Sequence, residues 1–153
     1  MIIFPKDLYT PFQKKYPQNF SISDSSYFCP TQSMIEKEIF PHYWEWLSAL
    51  KWSKWMHKWD CDNFADAFKL FACGYYEQVI ESNANGIAIG VVYYVADARA
   101  ESGISGAHAI NIIYAQDEQK NTNHYNVLFL EPQNGTFYKL APHEFDSIFT
   151  VYI

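Results

Sequence analysis

Cys61 stands between two aspartates in the stretch Trp59-Asp60-Cys61-Asp62-Asn63-Phe64-Ala65. Ala65, Phe68 and Ala72 follow it at four, seven and eleven residues, so the cysteine opens the apolar face of a predicted helix over residues 61–72. Asp60 is the expected cap, Asp62 and Asn63 occupy the acid-favouring first turn, and Gly74 is the expected stop. A thiol placed there meets unpaired backbone N–H groups and the positive end of the helix dipole. Those conditions lower a thiol pKa and make the thiolate a usable nucleophile. The plain role of such a cysteine is a small buried side chain, so the chemistry depends on what else the chain brings to it.

A nucleophilic thiol needs a base beside it, and the base needs an orienting partner. His108 lies in Gly106-Ala107-His108-Ala109-Ile110-Asn111, and Glu131 closes the strand-like run from Asn126. With the intervening loop centred near residue 120, residue 108 faces 131 or 132. An odd register puts His108 and Glu131 on one face. Glu131 is then the acceptor for the imidazole N–H. Gln133 and Asn111 are the fallback orienters and oxyanion candidates, although Asn111 falls on the opposite face of a regular strand. A satisfied core histidine and an edge-strand charge are the structural alternatives. His57 shares a helical face with Cys61 only if the helix runs unbroken through Asp60, and His42, His124 and His143 fall in loops or helix ends. Cys73, near a helix end, meets the wrong sign of the dipole and reads as structural.

The elements that must hold these groups divide the chain into helices first and strands afterwards. Residues 1–30 carry Pro5, Pro11, Pro17 and Pro30 among many aromatics and read as an ordered, irregular wrap. Thr31 or Ser33 caps a helix that Pro41 breaks, and a second helix covers residues 42–50. All five tryptophans fall between Trp44 and Trp59. Trp52, Trp55 and Trp59 fall at helical spacing beside Lys51, Lys54 and Lys58. They read as an aromatic core face with a solvated lysine edge, with Trp55 and Trp59 as candidates for a groove leading to Cys61. Residues 87–96, 108–114, 126–131, 136–140 and 148–153 read as strands, with Asn134-Gly135 as a hairpin turn. The sum is an α+β layout in one domain over residues 1–153: a wrap (1–30), a helical part (31–74) and an antiparallel sheet (86–153).

Composition narrows the function classes. The 153 residues are 49% hydrophobic and 19% aromatic, enough for a sizeable core. A formal charge of −6, with no basic cluster larger than three lysines, argues against nucleic acid as the partner. Three unpaired-looking cysteines suit a reducing compartment. No run approaches the ~20 apolar residues of a bilayer span, and the first apolar stretch breaks after three residues. A soluble, cytoplasmic chain with no membrane partner is expected.

Asp60-Cys61-Asp62-Asn63-Phe64-Ala65, Gly106-Ala107-His108-Ala109-Ile110-Asn111 and Leu130-Glu131-Pro132-Gln133 resemble motifs of the papain-like and transglutaminase-like cysteine peptidase superfamily. Two branches are similar: the bacterial transglutaminase-like cysteine proteinases and the papain-like C-terminal domain of a mushroom agglutinin. The resemblance covers roughly residues 59–140. It implies a papain-like fold, Cys61 as nucleophile, His108 as base, Glu131 as orienting acid, and a peptide or protein amide as substrate. It departs at the oxyanion glutamine such enzymes carry before the nucleophile, where this chain reads Lys54-Trp55-Met56-His57-Lys58. The agglutinin branch is associated with calcium. Asp60, Asp62, Asp66 and Glu101 offer hard oxygens without EF-hand spacing, so caps and solvated surface are their expected roles; no cofactor is expected, with calcium at Asp60, Asp62 and Asp66 as the alternative. The expected function is a cysteine peptidase or amide transferase. The alternative is an inactive scaffold that binds through its tryptophan-rich surface.

Overall fold

The computed structural model describes residues 1–120 and 124–153. The wrap is more regular than its prolines suggest. It supplies strands β1 (Ile2–Ile3), β2 (Asn19–Ser21) and β3 (Tyr27–Phe28), with a single helical turn α1 (Pro5–Leu8) between the first two. After it come the helical segments α2 (Gln32–Met34), α3 (Phe40–Ala49) and α4 (Cys61–Val79). Strands β4 (Gly86–Ile87), β5 (Ile89–Ala96), β6 (Gly106–Gln116), β7 (Tyr125–Glu131) and β8 (Thr136–Tyr138) follow. The turn α5 (Pro142–Phe145) and strand β9 (Thr150–Tyr152) complete the chain.

These strands form a three-stranded sheet, β1-β3-β4, and a six-stranded sheet, β2-β9-β5-β6-β7-β8. Both are mixed: β3 runs parallel to β4, and β2 runs parallel to β9. The expected papain-like α+β architecture, helices on a purely antiparallel C-terminal sheet, is therefore corrected. Each sheet takes strands from the N-terminal wrap, so neither is purely C-terminal nor purely antiparallel. The wrap's aromatics explain why. Leu8, Phe12 and Tyr27 pack beneath Ile110, Ile112 and Tyr114 on one side of β6. Ile39, Tyr43, Leu47 and Phe68 pack over Ile89, Ile113 and Leu130 on the other. β6 is thus buried on both faces, which is why it reads as a nearly continuous apolar run.

Three local departures have physical causes. Pro41 does not break the helix. Residues 35–39 take one wide π turn in which the Phe40 N–H reaches the Ile35 carbonyl, and the proline then sits in the first turn of α3, where its missing N–H costs little. Gly74 does not stop α4, which continues to Val79 because Tyr76 carries the buried stripe one turn further. No helix covers residues 51–59. α3 ends at Ala49 and Lys51 takes a left-handed turn with φ 62°. Trp52 donates its N–H to the Leu47 carbonyl at 2.8 Å, and Met56 and Trp59 exchange backbone hydrogen bonds, both at 2.9 Å. The predicted Asn134-Gly135 turn is present, with Gly135 at φ 75°. The predicted connection over residues 116–124 lies partly outside the described residues. Among those residues, no helix is long and apolar enough to cross a membrane.

Candidate functional site

α4 positions the thiol. Asp60 is its N-cap residue, and the Asn63 side chain reaches back to accept the Asp60 N–H at 3.2 Å, while Asp62 Oδ1 accepts the Asn63 N–H at 2.9 Å. Cys61, at the first helical position, is half-buried and packs with Ala65, Val91, Ala109 and Tyr93. A side-chain hydrogen bond with Asp62 holds the Asp60 carboxyl above the usual carboxylate range, and burial raises that of Asp66. Asn111 fixes the helix to the sheet. Its Nδ2 donates to the Ala65 carbonyl at 2.9 Å and to the Gly90 carbonyl at 3.1 Å. Asn111 therefore ties α4 to β5 and does not orient His108.

β6 and β7 position the imidazole and its acid. Asn111 pairs with Leu130, so Glu131 lies diagonally across from His108, two residues from the directly facing position. That geometry still brings His108 Nε2 to 2.7 Å from Glu131 Oε2, with the side chains 5% and 2% exposed. Glu131 Oε1 accepts the backbone N–H of Gln133 at 3.2 Å, so both carboxylate oxygens are engaged. Gln133 thus serves the site through its main chain. Burial works against a charged His108 ring, yet hydrogen bonds to Cys61 and Glu131 outweigh it and push the group up to about 9. With Nε2 committed to Glu131, Nδ1 is the atom that can meet the thiol. Tyr94 packs edge-on to the ring, centroids 5.9 Å apart, and limits how far it can swing. The structure pairs His108 with Glu131, and Cys61 is the second group that acts on the ring.

A separate groove opens beside the helix. Trp46, Trp52 and Trp59 wall a cavity of about 550 Å³, with Asn63, Asp66, Lys69 and Tyr152 along its other side. Trp52 and Trp59 pack in a tilted pair with centroids 4.7 Å apart, and Trp59 meets Phe64 edge-on at 5.7 Å. Of the two groove tryptophans predicted, Trp59 lines this cavity. Trp55 is 61% exposed on the far side of the 50–59 loop and lies outside it.

The comparisons with known proteins can be set on this geometry. Residues 12–152 match the family model described as the ricin-type beta-trefoil lectin C-terminal domain. The chain belongs to this lectin family. One structural neighbour of the lectin domain is PSL1a in complex with E64, at a TM-score of 0.70 and 21% identity, covering 99% of this chain and 51% of that one. Another is the Polyporus squamosus lectin bound to the human-type influenza-binding epitope Neu5Aca2-6Galb1-4GlcNAc, at a TM-score of 0.64 and 22% identity, covering 95% and 45%. At these identities the likeness is one of fold. The lectin domain spans about half the length of either structure. No curated protein matches the chain.

These matches correct the resemblance to papain-like and transglutaminase-like cysteine peptidases, because the matching family is a lectin family and both neighbours share its fold. The peptidase and hydrolase vocabulary goes with it. So does the expected peptide or protein substrate, since the neighbours carry a carbohydrate epitope in one case and E64 in the other. Of the two readings drawn from the sequence, the findings back the binding module over the peptidase.

Among the described residues no group of three or more His, Cys, Asp or Glu side chains is placed to hold a metal ion, so Asp60, Asp62 and Asp66 form no such cluster. Trp46 and Tyr152 are groove residues that sequence reasoning missed. Trp46 reads as one more aromatic on a core helix. Tyr152 comes from the last strand, 83 positions after Lys69 across the cavity, and no local signal links the two.

Proposed function

We propose that this lectin domain is a binding module that takes carbohydrate in the groove walled by Trp46, Trp52 and Trp59. The groove carries the reading: it is open, aromatic and large enough for sugar rings. Indole faces suit the C–H face of a pyranose, while Asn63, Asp66 and Lys69 supply acceptors and donors for its hydroxyls. The oligosaccharide named for the Polyporus squamosus lectin supports the ligand class. Isothermal titration against a panel of oligosaccharides tests it. Trp52 is 40% exposed, so Trp52→Ala is expected to leave the fold intact. Losing one aromatic contact, worth about 1 kcal/mol beyond its area, together with that buried area, should weaken binding tenfold or more. Unchanged affinity in Trp52→Ala, or no binding across the panel, would refute the groove.

A second reading attaches to Cys61 and is favoured by the 2.7 Å contact between His108 and Glu131. In it Cys61 is a reactive thiol. The His108 ring keeps its proton at neutral pH, held by Glu131, and its charge favours attack by the adjacent sulfur on an electrophile. Iodoacetamide should then label Cys61 well ahead of Cys29 and Cys73, whose thiols burial pushes up. His108→Ala should slow the labelling of Cys61 and leave that of the buried Cys29 and Cys73 as it was. Equal labelling of all three cysteines, read by peptide mass spectrometry, would dismiss this reading.

A further inference from the structure

The loop over residues 50–59 is braced on its inner side by the Met56–Trp59 backbone pair and by the tilted packing of Trp52 against Trp59. Its outer side is unusual. Trp55 is 61% exposed and Met56 44%, with Leu50 at 41% beside them. Lys51, Lys54, His57 and Lys58 alternate with these apolar groups along the loop and are themselves exposed. No Asp or Glu occurs from Trp46 to Trp59, although the chain as a whole carries a formal charge of −6. Large apolar side chains left in water on a fixed loop, inside a local reversal of charge, need a partner that is both anionic and apolar. An acidic polymer would satisfy the lysines and leave Trp55 and Met56 in water.

We propose that this loop is a docking surface for a membrane that carries anionic lipids. Trp55 sits at the level of the headgroups, where an indole satisfies both its ring and its N–H, and Met56 inserts beside it. Lys54 and Lys58, with Lys51, meet the lipid phosphates and carboxylates. The contact is peripheral. The expectation of no membrane partner concerned spanning, and that no helix among the described residues is long and apolar enough to cross a membrane says nothing about lying on the surface. The proposal is kept apart from the carbohydrate groove by Trp55, which lines no part of that cavity, whereas Met56 and Lys58 share a neighbouring hollow with Trp52 and Trp59.

Vesicle flotation of the whole chain tests it, using phosphatidylcholine alone and phosphatidylcholine mixed with phosphatidylserine. The chain should float with the mixed vesicles at low salt, release as salt rises, and ignore pure phosphatidylcholine. Each lysine removed should lower partitioning about fivefold, so Lys54→Gln with Lys58→Gln should lower it on the order of twentyfold. Trp55→Ser should cost about tenfold or more and remove a blue shift in tryptophan emission. All these side chains are exposed, so the melting temperature should hold in every variant. No flotation with mixed vesicles overturns the proposal, as does flotation indifferent to Trp55→Ser. Binding to soluble heparin that depends on the lysines and not on Trp55 would overturn it in favour of an acidic polymer. Loss of flotation with oligosaccharide binding retained would count against docking alone, and the reverse against the groove alone.

Discussion

Replacing Glu131 with alanine is expected to lower the unfolding free energy by about 3 kcal/mol, read from urea denaturation at pH 7. Three losses combine in that figure. The 2.7 Å hydrogen bond to His108 disappears inside a site where both side chains are almost wholly covered. The Gln133 N–H loses its acceptor at the start of the turn that leads into β8. The imidazole is left buried with its charge unmatched, which for a buried pair costs about 3–5 kcal/mol. His108 can escape part of that cost by shedding its proton, so the lower end of the range applies. Glu131→Gln keeps the shape and one acceptor oxygen and should lose roughly half as much. An alanine variant within about 1 kcal/mol of the parent would mean that the pair contributes no more than an exposed ion pair does.

The placement of His108 and Glu131 was legible because it rests on local rules. Alternation along β6 and the polar break before β7 predict a hairpin, and an odd register puts both side chains on one face. The register itself was off by two residues, because the length of the loop alone does not say where pairing begins. The long side chains of Glu and His bridge a diagonal as readily as a direct pair. Asn111 shows the limit of reading a strand by its alternation. It correctly falls on the other face, but its partners are carbonyls on α4 and β5, which no strand pattern reveals.

The fold was less legible where contacts are distant in sequence. β2 pairs with β9 across the whole chain, Asn19 beside Thr150, and nothing local marks residues 19–21 as the edge of the main sheet. Prolines in the wrap read as irregularity, yet they leave short strands free between them, and the aromatics bury those strands against β6. The tryptophan segment failed for another reason. A spacing of three and four residues fits a helix, but Lys51 in a left-handed turn ends α3 and sends the indoles to two different places. Trp52 and Trp59 turn inward to the groove, and Trp55 turns out. Periodicity records which residues are alike and leaves open whether one helix carries them.

Stability should also fall as pH rises from about 6.5 to about 9, by on the order of 3 kcal/mol. His108 in the folded chain holds its proton up to about 9, against 6.5 for an unperturbed histidine. Between those limits the folded state binds a proton that the unfolded state has released, so each step up in pH favours unfolding. The contribution is complete below 6.5, declines through the interval, and is gone above 9. The causes can be separated by mutation. Burial alone would depress the group, and the hydrogen bonds to Cys61 and Glu131 reverse it. Cys61→Ala should therefore narrow the window, and Glu131→Gln should narrow it as well by removing a full negative charge. Chemical denaturation at half-unit steps from pH 6 to 10, with the His108 ring followed by NMR, gives both readouts. A ring that titrates near 6.5 in the folded chain, with a flat stability profile, would show that burial wins at this site and that the contact with Glu131 is one between a neutral imidazole and its acid.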